Sequence, residues 1–156
     1  MKAKITAVLL TMIGVFLLGG CGKDDELDTF KEQMDSFCNT IVEIDSDMNA
    51  INADSEDAIS LLLENLDKLD AAFLELAEYP VPDEFSYIET LADEASENMS
   101  QAVTLYHEAF SNNSYNEYTA GYAKEYYARA YKRVKYIITM LHGEMPEDEN
   151  VIIVNE

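Results

Sequence analysis

The chain has 156 residues, a formal net charge of −21 and a hydrophobic content of 48%. Its length is typical of one domain with a single hydrophobic core. The excess of acidic side chains argues against nucleic acid and anionic membrane surfaces as partners, because like charges repel. Apolar residues are too plentiful and too regularly spaced for a disordered chain, so we expect an acidic surface around an ordered core.

The first 21 residues have the features of a secretory signal. Two lysines precede a mostly apolar run at 5–18, which is shorter than the roughly 20 residues that a membrane-spanning helix needs. The run ends in Leu18-Gly19-Gly20-Cys21, a pattern that resembles the lipobox of bacterial lipoproteins. The resemblance covers residues 1–21 alone. It implies that a diacylglyceryl group is attached to Cys21 and that the signal is cleaved between Gly20 and Cys21.

This resemblance implies where the protein lies. Residues 1–20 would be removed, residues 21–26 would form a lipidated tether, and the lipid bilayer would hold the domain on the extracytoplasmic side of the cell membrane. Two acyl chains anchor a protein stably, since each buried methylene contributes roughly 0.8 kcal/mol. With Cys21 carrying lipid, Cys38 is the one cysteine that remains, so no internal disulfide can form.

Apolar residues at alternating three- and four-residue steps form a seam, one face of a helix, and four such seams follow the tether. The first contains Leu27, Phe30, Met34, Phe37, Ile41, Ile44, Met48 and Ile51. Asp54 is the candidate N-cap of the second helix. The second seam contains Ile59, Leu62, Leu66, Leu69, Phe73 and Leu76. This helix should end at Tyr79-Pro80-Val81-Pro82, because proline disfavours a helical conformation in the residue before it.

The third seam is rich in small residues, which permits close approach of a neighbouring helix. Ser86 and Glu89 have capping-box spacing, although Pro82 and Asp83 could open the helix one turn earlier. The third seam contains Ile88, Ala92, Ala95, Met99, Ala102, Tyr106 and Ala109. Asn112-Asn113-Ser114 then interrupts the helical pattern.

A fourth helix follows this interruption. Its core line contains Tyr127, Tyr131, Val134, Ile138 and Leu141, with Ala130 and Ile137 beside that line. Gly143 is positioned to terminate it. Four helices joined by short turns must alternate in direction, so the sequence predicts an all-α fold, an up-down-up-down four-helix bundle over residues 27–142. A long three-helix arrangement or an open hairpin is the structural alternative.

Residues 143–156 form a C-terminal tail that is acidic and then apolar. It carries Val151-Ile152-Ile153-Val154, a strand-like run. The tail could dock on the bundle, pair with the edge of another protein's sheet or remain disordered. Docking is favoured because exposing four apolar side chains is costly.

Positive charge is concentrated in the fourth helix. Residues 27–112 contain 21 acidic and two basic residues, whereas residues 115–142 contain two acidic and five basic residues. A stripe beside the core line consists of Tyr118, Tyr122, Tyr126, Arg129, Arg133 and Tyr136. One interpretation is intramolecular, in which the stripe flanks the acidic helices and offsets their repulsion. The functional interpretation is a partner-binding face, because tyrosine and arginine are enriched at interface hot spots.

One acidic segment has the spacing of a calcium-binding loop. Asp45, Asp47, Asn49 and Glu56 match oxygen-donor positions of the EF-hand pattern, which makes them a weak metal-site candidate. Ala50 stands where that loop needs glycine, and the first apolar seam continues through the segment. The sequence therefore favours a helix followed by a turn.

Motifs for catalysis are missing from the sequence. Neither His107 nor His142 lies in the Glu-x-x-His motif of di-iron bundles, and Cys38 is expected to be a small buried hydrophobe. We therefore expect no catalytic residue and no cofactor. The predicted function is that of a non-enzymatic lipoprotein that binds or scaffolds an envelope or membrane protein. A lipoprotein that binds a cation such as calcium, or a small ligand, is one alternative, and an enzyme is the other.

Overall fold

The structure, a computed structural model, describes residues 25–111 and 115–146. It contains four helices: α1 (Asp25–Ala50), α2 (Ala58–Ala77), α3 (Ser86–Ala109) and α4 (Glu117–Leu141). Each helix packs against the next one in the chain, and this part of the chain contains no strand. The predicted all-α four-helix bundle is confirmed. The predicted lipobox at 18–21, the predicted interruption at 112–114 and the apolar run of the tail lie outside the described residues.

The predicted seams supply most of the core. Five seam residues of α1 are buried, Phe30, Met34, Phe37, Ile41 and Ile44, and the two ends of that seam are half-buried. Leu66, Leu69, Phe73 and Leu76 of α2 are buried as well. Three aromatic rings connect α1, α2 and α4, since the ring of Phe73 lies 5.2 Å from that of Phe37 and 5.6 Å from that of Tyr131.

The start of α2 differs from the prediction. The side chain of Asn52 accepts a hydrogen bond from the backbone N–H of Asp54, and the N–H of Ser55 bonds to the carbonyl of Asn52. Asp54 is part of this local turn, so its side chain does not cap α2. The helix begins at Ala58. Ile59, predicted to be in the core, is 47% exposed, because in this first turn Ala58 faces the neighbouring helices instead.

Of the two predicted starts of α3, the structure favours the earlier one, at Pro82 and Asp83, over a capping box at Ser86 and Glu89. Residues Asp83–Phe85 form a 3₁₀ turn, and the N–H of Phe85 bonds to the carbonyl of Pro82 at 2.8 Å. Ser86 is therefore the first residue of α3 and does not cap it.

Both ends of α4 are closed by specific hydrogen bonds. The side chain of Asn116 accepts from the N–H groups of Tyr118 and Thr119, each at 3.1 Å. At the other end, Gly143 has a φ of 74° and the N–H of Glu144 bonds to the carbonyl of Thr139, which together make a Schellman motif. The predicted role of Gly143 is confirmed.

The closest pair of helices is α3 and α4. Alanines fill their interface, and Ala95, Ala102, Ala123 and Ala130 have no exposed surface. The close approach predicted from the third seam is therefore confirmed. In contrast, no Cα atom of α1 lies within 8 Å of a Cα atom of α4.

This asymmetry rotates α4 relative to the predicted core line. Tyr131 and Val134 are buried as expected, but Tyr127, Ile138 and Leu141 are half-buried. The remaining buried positions of α4 are Ala120, Ala123, Ala130, Tyr136, Ile137 and Met140. The buried face turns toward α3 because α4 packs more tightly against α3 than against α1.

Candidate functional site

The amino-terminal half of α4 presents exposed aromatic rings. Tyr118 is 86% exposed, Tyr122 is 61% exposed, and Tyr115, just before the helix, is 52% exposed. We refer to these three residues as the tyrosine surface. The ring of Tyr115 packs against that of Phe110 at a centroid distance of 5.2 Å, which fixes its position at the end of α3. Tyr115 lies outside the predicted stripe, because it precedes α4 and helical periodicity assigns it no face.

The middle of the predicted stripe is accessible but paired with its own helix. The guanidinium of Arg129 lies 5.1 Å from the ring centroid of Tyr126, and one of its nitrogens lies 3.8 Å from a carboxylate oxygen of Glu125. Both charged side chains are more than half exposed, so this ion pair contributes little to stability. The guanidinium of Arg129 can therefore leave Glu125 and form an ion pair with an acidic group of a partner protein.

The last third of the stripe packs within the protein. The Nε atom of Arg133 lies 2.5 Å from a carboxylate oxygen of Glu94 on α3, an ion pair without the alignment of a hydrogen bond. Tyr136 is 5% exposed, and the side-chain cations of Lys132 and Arg133 lie 5.6 and 5.8 Å from its ring centroid. The buried ring of Tyr136 is therefore not available to the partner-binding face of the functional interpretation. The intramolecular interpretation applies to Arg133 and Tyr136.

The tyrosine surface lies at one end of the bundle. Successive helices alternate in direction, so the start of α4 is at the same end as the connection between α1 and α2. The first residue of α1, Asp25, is at the opposite end. A helix of 26 residues such as α1 is about 39 Å long. This length separates the tyrosine surface from the start of the described chain.

A polar cluster bridges the wide gap between α1 and α4. The hydroxyl oxygens of Tyr127 and Tyr131 each lie 3.5 Å from Oδ1 of Asp45 and 3.2 Å from each other. Burial raises the pKa of the Asp45 carboxyl above its ordinary value, and the two tyrosine hydrogen bonds offset part of that rise. Burial also raises the pKa of both tyrosines, so they stay protonated and can donate to the carboxylate. We interpret this cluster as a structural contact between the two helices.

This cluster and two contacts between α2 and α3 are not predicted by any sequence pattern. A ring nitrogen of His107 lies 2.6 Å from a carboxylate oxygen of Asp67, and the hydroxyl of Ser100 donates to Asp70 at 2.5 Å. His107 and Asp67 are 40 residues apart, and Ser100 and Asp70 are 30 residues apart. Local sequence spacing does not predict contacts over such separations. The contacts align α2 and α3 along their shared outer edge.

The residues of the calcium-loop pattern do not form a loop. Asp45, Asp47 and Asn49 lie on α1, which continues to Ala50, and Glu56 is exposed in the following connection. The helix continues because Ala50 does not provide the sharp turn that glycine would allow. In the described part of the chain, no three His, Cys, Asp or Glu side chains converge to hold a metal ion.

An open cleft of about 350 Å³ lies where α1 ends and α2 begins. Its lining includes Ile51 and Leu61 together with the charged side chains of Asp47, Glu64 and Lys68. Lys68 is paired with Glu64 at 3.1 Å across one turn of α2. This internal pairing leaves the cleft without a concentrated charge that would select an ionic ligand.

Cys38 is half-buried beside the core and forms no disulfide. Burial, with a smaller contribution from Asp35, raises the pKa of its thiol to about 11. The thiolate that nucleophilic chemistry needs is therefore rare at neutral pH.

No family model matches the chain, and no curated protein or solved structure is significantly similar to it. Within residues 25–111 and 115–146, no helix combines the length and apolar character needed to cross a membrane.

Proposed function

We propose that the protein is a lipoprotein, anchored through Cys21 on the extracytoplasmic side of the cell membrane, that binds a protein partner without catalysing a reaction. The observation that carries the proposal is the exposure of Tyr118 and Tyr122 on one face of α4, at 86% and 61%. Exposed tyrosines offer large, rigid contact areas and a hydroxyl that donates or accepts hydrogen bonds, which suits a protein interface.

The position of the tyrosine surface supports this proposal. The link from Gly22 to Asp25 spans only about 13 Å when extended, so a lipid at Cys21 would keep the start of α1 close to the bilayer. The length of α1 then projects the opposite end of the bundle tens of ångströms away from the membrane. A partner in the cell envelope, or the extracytoplasmic part of a membrane protein, would meet the tyrosine surface there.

Charge supports the same orientation. The first turn of α1 carries Asp25, Glu26 and Asp28, which would be repelled by anionic lipid headgroups. These carboxylates also interact favourably with the amino-terminal end of the helix dipole. The end of the bundle next to the anchor would therefore stand off from the bilayer and not lie on it.

Membrane attachment is tested by changing the lipidated residue. The variant Cys21→Ala should leave the membrane fraction or retain its signal peptide, because the thiol that accepts the lipid is gone. Cys38→Ala is the matched control and should fractionate like the unchanged protein. A Cys21→Ala protein that is processed and still membrane-bound would contradict the anchor.

Partner binding is tested by site-specific photo-crosslinking in intact cells. A photoreactive phenylalanine at position 118 should crosslink to a defined envelope or membrane protein, and Tyr122→Ala in the same chain should abolish that product. The same probe at Thr90, an exposed position of α3 at the other end of the bundle, is the control. Identical products from positions 118 and 90, or a product that survives Tyr122→Ala, would refute the tyrosine surface as the interface.

A further inference from the structure

A glycine lies inside the exposed part of α4, where the fold does not require one. Gly121 is an exposed helical residue, and its φ is not positive. A Cβ atom added at this position would meet nothing within 4 Å, so no neighbouring part of the described chain needs the small residue. Glycine also destabilises a helix interior relative to alanine, because it loses more backbone freedom on folding. The absent side chain is useful only where another molecule comes close to the backbone.

Gly121 belongs to a depression between helical side chains. Residues at positions i, i+3, i+4 and i+7 of a helix surround one hole, which receives a single side chain of a facing helix when two helices pack. The four positions are occupied here by Tyr118, Gly121, Tyr122 and Glu125, all of them exposed. We refer to this depression as the α4 hole.

The residues around the α4 hole give it depth and aromatic walls. Tyr118 is 86% exposed and Tyr122 is 61% exposed, so much of each side chain is accessible to a partner. Gly121 adds no side chain, which lowers the floor of the hole to the backbone. The carboxylate of Glu125 lies 3.8 Å from Arg129, one turn further along α4, so its charge is directed away from Gly121. A bulky apolar side chain fits a hole of this kind.

The charge of α4 favours an acidic partner. Lys124 and Arg129 are exposed next to the α4 hole. Residues 115–142 contain five basic and two acidic residues, whereas residues 27–112 contain two basic and 21 acidic residues. An acidic helix is therefore attracted to α4 and repelled by the other three helices.

We propose that the partner contacts the tyrosine surface through an acidic amphipathic helix, which inserts one bulky apolar side chain into the α4 hole. That side chain lies on the backbone of Gly121 between the rings of Tyr118 and Tyr122. Carboxylates of the partner helix pair with Lys124 and Arg129. The inference rests on the proposed function, since it needs a protein partner, and it specifies the secondary structure and the charge of the segment that binds.

The first test fills the α4 hole. In the chain with the photoreactive phenylalanine at position 118, Gly121→Leu should reduce the crosslinked product at least several-fold. Gly121→Ala should reduce it less, because the methyl group fills less of the hole. Ala71→Leu, at an exposed position of α2, is the matched control and should leave the yield unchanged.

The outcomes of this test distinguish the two proposals. A yield that survives Gly121→Leu but is lost with Tyr122→Ala would overturn the α4 hole and leave the tyrosine surface as the interface. The absence of any product from position 118 in the otherwise unchanged chain would refute the proposed function, and the present inference with it.

Thermal unfolding distinguishes a filled hole from a damaged fold. Gly121→Ala and Gly121→Leu should unfold at the same temperature as the unchanged protein or at a higher one, because alanine and leucine favour a helix more than glycine does. Circular dichroism measures these midpoints. A lower midpoint would show that Gly121 serves the fold of α4 itself, which would overturn the proposal.

The second test changes the charge beside the hole. Lys124→Glu combined with Arg129→Glu should reduce the crosslinked product several-fold, whereas Lys135→Glu, an exposed lysine near the other end of α4, should not. Mass spectrometry identifies the crosslinked segment of the partner, which should be a helix with acidic side chains. Replacing those acidic residues with lysine should restore the product in the chain with both reversed charges. A product formed with lipid, with a second copy of this chain, or with a segment that is basic or not helical would overturn the proposal.

Discussion

Asp45 of α1 and Tyr131 of α4 face each other between two helices that have no Cα atoms within 8 Å of each other, with 3.5 Å between carboxylate and hydroxyl oxygens. The two backbones stay apart because the ring of Tyr131 stands between them, packed on Phe73 and stacked on Tyr127 at 4.7 Å. The ring of Tyr131 packs in the aromatic core, and its hydroxyl forms the polar contact with Asp45. The interface is thus held by an aromatic layer that ends in a partly buried carboxylate.

Asp45→Asn is expected to leave the stability unchanged or to increase it at neutral pH. Asparagine retains an oxygen that accepts from both tyrosines and removes a charge that is poorly solvated. Burial raises the pKa of Asp45 in the folded protein, so this group contributes stability that is fully present below its unfolded pKa and is lost as the pH rises through the folded pKa. Urea unfolding at a series of pH values checks both statements.

Asp47→Asn is the matched control for this change, because Asp47 is exposed two residues further along α1. The pH dependence of the unfolding free energy should flatten with Asp45→Asn relative to Asp47→Asn. A large loss of stability with Asp45→Asn at neutral pH would show that the charge itself holds the interface.

Phe73→Ala should destabilise the protein by about 3 to 5 kcal/mol, because it removes a ring with no exposed surface from the layer shared by three helices. Leu74→Ala, at a position that is 51% exposed, should change the unfolding free energy by less than about 0.5 kcal/mol. Chemical denaturation measures both values. Similar losses from the two variants would argue against the position of the core.

Ala95→Leu should cost about 1 to 3 kcal/mol, since the added atoms must enter the closest helix interface, between α3 and α4. Ala71 of α2 is exposed, so Ala71→Leu is the matched substitution without crowding. The comparison is made by thermal and urea unfolding. If Ala95→Leu is tolerated as well as Ala71→Leu, then α3 and α4 are not in close contact at this position.

Asn116→Ala should destabilise the protein by about 1 kcal/mol, because its side chain satisfies two N–H groups at the start of α4. Asp54→Ala should have little effect, since the side chain of Asp54 does not cap α2. Urea unfolding of the two variants therefore distinguishes the observed cap from the one predicted by sequence. A larger loss with Asp54→Ala would restore the sequence prediction.

Tyr118→Ala and Tyr136→Ala should affect different properties of the protein: the first partner binding, the second stability. Tyr118→Ala should weaken the partner complex by about 2 kcal/mol, the loss typical of an interface hot spot, and leave the stability of the fold unchanged. Tyr136→Ala should lower the stability because its ring is buried. Thermal unfolding and the crosslinking yield measure the two effects. Unfolding by Tyr118→Ala would indicate that the tyrosine surface is structural.

The sequence predicted the helices well because helical periodicity is a local property. The seams of α1 and α3 matched the buried residues closely, and Gly143 ended α4 because only a residue without a Cβ atom adopts a positive φ without strain. Capping was predicted less well. Asp54 and Ser86 are sound cap residues by type, but Asn52 and Pro82 form turns beside them and decide where each helix begins.

The candidate site required the packing of the helices to be known. The six stripe residues of α4 follow one helical spacing, yet Tyr118 at one end is 86% exposed and Tyr136 at the other end is 5% exposed. Periodicity gives the direction in which a side chain leaves its helix, but it does not say what lies in that direction. For the same reason, no sequence pattern indicates that Asp45 would meet tyrosines more than 80 residues away.

The amino-acid sequence by itself determined that this protein is an all-α bundle with an acidic surface and one basic, tyrosine-rich helix. It also contains Leu18-Gly19-Gly20-Cys21, the pattern resembling a lipobox on which the proposed anchor rests. Only the tertiary structure decided which face of α4 is buried and which tyrosines remain accessible. The physical reason is that alanine pairs draw α4 toward α3 while tyrosine rings hold it away from α1, and these distances depend on all four helices at once.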